Sequence, residues 1–165
     1  MATRAVGQLI QRRSLLLAGA SLFLKGNASA AGQPIVVVVA VSSATSDLGM
    51  STLQRIFGGD QISGRDGQRV IPFNQAVQTA ERSTFDRIVL GLSPDDIARY
   101  WINRRIRGQS GPPRTVPSVA LMRRVVAQLK GAMGYLTADQ LDGSVRAITI
   151  DGKRHTEPGY PLNLR

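Results

Sequence analysis

The run "PIVVVVA", Pro34 to Ala40, places five β-branched residues in succession. Such side chains are stiff at χ1 and suit a pleated backbone, and a strand without polar alternation must hide both of its faces. The strand reading covers Gln33 to Ser43, bounded by Pro34 and by serines. A strand covered on both sides requires layers above and below it, which a chain supplies by laying helices over a sheet.

The segments that follow provide those helices. Ser51 with Gln54 has capping-box spacing, Leu53, Ile56 and Phe57 fall on one helical face, and Gly58 and Gly59 stop the run. An Asp66-Gly67 turn leads into a strand at Arg69 to Phe73, where Pro72 predicts a place near a sheet edge or a strand end. Thr79 is a candidate N-cap for a helix whose stripe is Phe85, Ile88 and Val89, closing at Gly91. In "SPDDIARYWINRRI" Ser93 caps, Pro94 takes the first helical position, and Asp95 and Asp96 meet the positive end of the dipole. Ile97, Tyr100 and Trp101 then share a face.

"RGQSGPPRTVPS", Arg107 to Ser118, is loop by its three prolines and two glycines. Ser118 caps a helix with the face Leu121, Met122, Val125, Val126 and Leu129, ended by Gly131. "GAMGYL" is a short buried strand with Gly134 at a close backbone approach. "SVRAITID", Ser144 to Asp151, is a last strand before an Asp151-Gly152 turn and a polar tail. Strands and helices alternate, so the class is α/β.

The first thirty residues stand apart. Arg4, Arg12 and Arg13 form a basic start, Ser14 to Leu24 an apolar core, and Ala28 to Ala30 a small-residue cleavage site. An apolar core of eleven residues is short of the roughly 20 that a membrane-spanning helix needs. Residues 1–30 are therefore expected to be a signal peptide and residues 31–165 the folded domain. "QRRSLL" resembles a twin-arginine signal, with the general secretory route as the alternative. Four of the 21 lysines and arginines lie in this segment, leaving 17 against 11 acids, a net charge of +6. That excess suits anions or an anionic surface, and an exported protein is not expected to meet nucleic acid. Absence of cysteine means no disulfide framework is needed in an oxidising compartment.

The inventory for catalysis is thin. His155 is the single histidine, and it lies in the tail beside Arg154 and Glu157. No Cys–His pair, metal-ligand spacing, phosphate loop or dinucleotide fingerprint occurs, so no enzyme, metal or cofactor is expected. Three features suit anions. One is the helix start at "QTAERST", where amides, Thr79, Arg82, Ser83 and Thr84 can gather around a phosphate or sulfate. Another is "INRRIRGQ", with Arg104, Arg105 and Arg107, which a solvated helix C-terminus also explains. The third is the Ser118 cap ahead of Arg123 and Arg124.

Taken in order, "LQRIFGG", "DGQRVIPFN", "RSTFDRIVLG", "YW", "RGQSGPP" and "GAMGYL" resemble the phosphate ABC-transporter substrate-binding proteins, within the type 2 periplasmic binding protein (PBP) superfamily. The resemblance runs from Val36 to Tyr135, and the tail "ITIDG…GYPL" is similar to their return segment. It implies a single PBP-like lobe, a mixed central sheet flanked by helices, with Phe57, Phe85, Tyr100, Trp101 and Tyr135 in the core. Full-length members have two lobes and grip phosphate with an arginine and a Ser-Gly-Thr run at a helix N-terminus. The matching region here, "NQAVQTAERST", keeps Thr79, Arg82 and Ser83 without that run. The function implied is periplasmic binding of inorganic phosphate or a related oxyanion in connection with ABC-type transport. The alternative is a non-catalytic periplasmic interaction or adaptor module that keeps the lobe without the ligand site.

Overall fold

The computed structural model describes residues 32–64 and 66–164, so the signal-peptide reading of residues 1–30 lies outside the described residues. The β-branched run becomes strand β1, Ile35–Ala40, at the interior of a five-stranded sheet. Elements follow as β2 (Asp47–Leu48), α1 (Met50–Phe57), β3 (Ile71–Asn74), α2 (Ala80–Phe85), a π-helical turn (Asp86–Leu90) and α3 (Pro94–Ile106). Then come β4 (Arg114–Thr115), α4 (Val119–Gln128), β5 (Ala132–Thr137), a 3-10 turn (Ala138–Gln140), β6 (Val145–Ala147) and β7 (Thr149–Ile150).

The sheet order is β4-β3-β5-β1-β6, with β1 antiparallel to β5 and β6, and β3 parallel to β5 and β4. This mixed α/β architecture is the expected fold class. Alternation along β1 divides the core as the opening run demanded. Ile35, Val37 and Val39 face a cluster with Leu53, Ile56, Phe57, Phe85 and Tyr135, while Val36 and Val38 face Met122, Val126, Leu136 and Val145. Within the first cluster Phe85 stacks on Tyr135 at 3.8 Å between ring centres, and Phe57 meets Phe85 edge-on at 4.7 Å. The tail closes the layer: Tyr160 Oη donates to Ile35 O at 2.9 Å, and Ile35 N donates to Leu162 O at 2.8 Å.

Several sequence expectations need correction. Helix α1 begins at Met50 with Gly49 as N-cap and no side-chain cap of its own, so Ser51 and Gln54 form no capping box. Its start is served from across the fold by Asp151, whose Oδ1 accepts from Met50 N at 3.0 Å. Leu121 and Leu129 are exposed, because α4 meets the sheet through Met122 and Val126, with Val119 and Val125 half-buried beside them. That helix ends at Gln128, three residues before Gly131. The last strand is two, since Ile148 donates to Val37 O and the chain then leaves β1 to pair with β2. Pro72 behaves as its chemistry requires. β4 pairs only with Phe73 and Asn74, so no partner faces the missing N–H.

Gly131 and Gly134 do different work. Gly131 has φ +77° and lies so close to Arg69 O that a Cβ would overlap that carbonyl. Gly134, in the middle of β5, lets Met122 Sδ rest on the strand backbone, with Val126 Cγ2 at 3.3 Å from where a Cβ would stand. The missing Cβ on the strand is what lets α4 approach β5.

Candidate functional site

The helix start at Thr79 follows β3 after a short segment that is buried at Gln75 and exposed at Val77 and Gln78. Thr79 is extended (φ −81°, ψ 144°), its side chain accepts from Arg82 N at 3.2 Å, and its Oγ1 donates to Ala76 O at 2.9 Å. The first intrahelical bond is Ser83 N to Thr79 O at 3.2 Å, so the amides of Ala80 and Glu81 precede the ladder. Ser83 is exposed and donates to Ala80 O at 3.1 Å. Thr84 is buried on the inner face with Phe85. Of the four residues read from sequence, then, Thr79 and Ser83 share the accessible helix start, and Thr84 and Arg82 turn inward.

The Arg82 guanidinium has partners on several sides. Only 6 % of the residue is exposed, and Nε meets Asp86 Oδ2 at 2.5 Å one turn along the helix. Nη1 donates to Gln75 O at 3.3 Å, and with the Asn74 amide turned so that its oxygen faces the guanidinium, as the donors around it require, that oxygen accepts from Nη1 at 3.0 Å and from Nη2 at 3.2 Å. Gln75 Nε2 donates in turn to Tyr135 O at 3.0 Å, and Gln75 N to Tyr135 Oη at 3.4 Å. Burial pushes the Asp86 carboxyl above its ordinary range, against the Arg82 hydrogen bond and charge that pull it down. Burial also pushes the Tyr135 phenol up. Asn74, Gln75, Asp86 and Tyr135 were missed from sequence. The Arg82–Asp86 spacing of i, i+4 was the readable signal, whereas Asn74 and Gln75 reach the group only because β3 ends beside α2.

The other two anion features separate. Arg104 turns into the fold, donating from Nη2 to Gly59 O at 3.2 Å, 3.7 Å from Asp60 Oδ1 and 5.8 Å from the Tyr100 ring centre. Arg105 and Arg107 stay exposed. Arg123 leaves the Ser118 cap, bonding Gln140 O at 2.7 Å and Asp142 Oδ2 at 3.1 Å. A separate cleft of about 350 Å³ lies at the far end of the sheet, between the close of β1 and the start of β5. Ser42, Thr45, Asp66, Gln68 and Lys130 rim it, and Val39, Val70 and Met133 floor it. His155 sits half-buried in the tail, and among the described residues no group of three or more His, Cys, Asp or Glu is placed to hold a metal ion.

No protein-family model matches the chain, and no curated protein matches it. Solved structures do. An ABC-type phosphate transport receptor from Vibrio cholerae superposes with TM-score 0.61 at 18% identity, covering 76% of this chain and 49% of that one. A putative phosphate ABC transporter substrate-binding protein with bound phosphate, from Clostridium perfringens, gives 0.63 at 18% identity over 76% and 48%. PstS from Borrelia burgdorferi gives 0.57 at 8% identity over 75% and 49%. The chain spans about half the length of these structures. Its mixed five-stranded α/β architecture is the fold of phosphate ABC-transporter substrate-binding proteins over about half of their length.

Proposed function

We propose that this protein is an exported, non-catalytic solute-binding module that takes phosphate or a related oxyanion in connection with ABC-type transport. The observation that carries the reading is a fold shared with phosphate receptors together with the α2 start, where Thr79, Ser83 and the amides of Ala80 and Glu81 precede the helical ladder. Backbone donors at a helix start favour an anion. Arg82 supports the site from beneath, its charge offset by Asp86. Glu81, in the first turn, works against an anion.

One observation favours a second reading. A guanidinium already held by Asp86, Gln75 and Asn74 is not available to clamp a ligand from solvent. On that reading the chain is a periplasmic interaction module that keeps the receptor fold without its ligand.

Phosphate and sulfate titrations followed by amide NMR decide between them. The first reading expects saturable shifts at Thr79, Ala80, Glu81 and Ser83, and about two- to fivefold tighter binding in Glu81→Gln, which removes the opposing charge. No saturable shift at millimolar anion leaves the interaction module. Shifts gathered at Arg104 to Arg107 would move the site to α3. Export is tested separately: the N-terminus of secreted material should be Ala31, and retention of Ser14 to Leu24 would remove the periplasmic placement.

A further inference from the structure

We propose that the cleft at the far end of the sheet binds a free aliphatic α-amino acid. Its walls are built from separate segments that the fold locks together. The loop leaving β1 is pinned by Arg146, whose Nη2 donates to Ser43 O and to Thr45 O, each at 2.9 Å. The segment between α1 and β3 forms a small ladder of its own, Val70 N donating to Ile62 O at 2.9 Å and Gly64 N to Gln68 O at 2.8 Å. The corner between α4 and β5 is pressed onto that ladder. Ile71 N donates to Gly131 O at 2.8 Å, and Gly131 stands against Arg69 O with no room for a Cβ. The space enclosed, about 350 Å³, is in the range of small-ligand sites.

The lining selects the occupant. Asp66 on the ladder and Lys130 on the corner are the charged groups of the cleft among the described residues, one of each sign. Both are exposed, and neither has an ion-pair partner among the described residues. Asp66 Oδ1 accepts from Gln68 N at 3.0 Å, which holds the carboxylate over Gly64. A Cβ on Gly64 would stand 3.0 Å from that oxygen and 3.5 Å from Thr45 Oγ1. A carboxylate and a hydroxyl thus converge from two walls on one spot, as acceptors for an ammonium group. Lys130 and the Ser42 hydroxyl supply donors for a carboxylate, and Val39, Val70 and Met133 give an aliphatic floor. An inorganic oxyanion would face the Asp66 charge, and a diamine would face Lys130. A ligand with ammonium and carboxylate on one carbon and an aliphatic side chain satisfies all parts of the lining. The cleft lies at the Ala40 and Ala132 end of the sheet, whereas α2 follows Asn74 at the opposite end, so the proposal is independent of any oxyanion there.

The test titrates the full chain with L-leucine, L-valine and L-methionine, followed by amide NMR and thermal unfolding. Saturable shifts are expected at Thr45, Gln68 and Gly131, with Thr79 and Ser83 unmoved. 4-Methylpentanoate, which lacks the ammonium, and 3-methylbutylamine, which lacks the carboxylate, should each bind about tenfold or more weakly than L-leucine. Asp66→Asn keeps the acceptor for Gln68 N and removes the charge, and Lys130→Gln removes the opposite charge. Each should weaken L-leucine binding by about tenfold and leave the melting temperature of the free protein unchanged. No saturable shift with any of the amino acids overturns the proposal, as do analogues that bind as well as L-leucine, or affinity unchanged in both variants. Amino-acid shifts centred on Thr79 and Ser83, or shifts at the cleft with phosphate alone, overturn it as well.

Discussion

Arg82 and Asp86 form a buried ion pair, Nε to Oδ2 at 2.5 Å, across the junction between α2 and the π-helical turn that follows it. Charges withdrawn from water repay that cost only through good partners, and here Asn74 and Gln75 complete the guanidinium's contacts. Asp86→Ala removes the counter-ion and the hydrogen-bond acceptor together, leaving the buried Arg82 Nε unsatisfied, and should cost about 3–5 kcal/mol in urea unfolding. Replacing both, as Arg82→Met with Asp86→Leu, should cost much less than that single change. A double variant as damaged as Asp86→Ala would mean the pair contributes more than mutual satisfaction.

The titration of Asp86 has a definite sign. Burial raises its carboxyl in the folded state, so the folded protein holds this proton to higher pH than the unfolded chain does. Its contribution to stability is complete at low pH and is lost as pH rises through the raised midpoint. Side-chain carboxyl NMR should place that midpoint above the ordinary aspartate value of about 3.9. Arg82→Met should move it further up, because Arg82 is what opposes burial. A midpoint below the ordinary value would show the ion pair outweighing desolvation.

The two glycines of "KGAMGYL" should answer differently to alanine. At Gly131 a Cβ would overlap the backbone carbonyl of Arg69 at a positive φ, and neither can yield cheaply. At Gly134 the obstacle is the end of a methionine side chain, which can move. Gly134→Ala should cost about 1–3 kcal/mol, and Gly131→Ala more. Met122→Ala should recover part of the penalty of Gly134→Ala and none of that of Gly131→Ala.

Trp101 is buried, but it packs outside the two main clusters, against Gly59 and edge-on to Tyr100 at 4.9 Å. Its Nε1 is buried without a hydrogen-bond partner. Trp101→Ala should cost about 3–5 kcal/mol through lost packing, measured by thermal or urea unfolding. Trp101→Phe should cost under about 1.5 kcal/mol, since it removes an unsatisfied donor along with some volume. A phenylalanine variant as unstable as the alanine one would mean the indole nitrogen has a partner in solution.

Local chemistry in the sequence settled the elements whose signals lie within a few residues. The β-branched run had to be a strand covered on both faces, and it is. Thr79, Ser93 and Ser118 each cap the helix that their spacing announced, because a cap is a bond between residues three apart. Asp66-Gly67 turns as written, with Gly67 at φ +74°. What depended on distant partners stayed out of reach. Asp151 serves the start of α1 from 101 residues away, a contact no local pattern encodes. The exposure of Leu121 and Leu129 followed from which side of α4 meets the sheet, the side of Met122 and Val126 that rests against Gly134. Most consequential is Arg82. Its type and position suggested a ligand grip, and its spacing to Asp86 allowed a pair. Only the packing of β3 beside α2 decided that the guanidinium would turn inward, where Asn74, Gln75 and Asp86 satisfy it more fully than solvent at the helix start could.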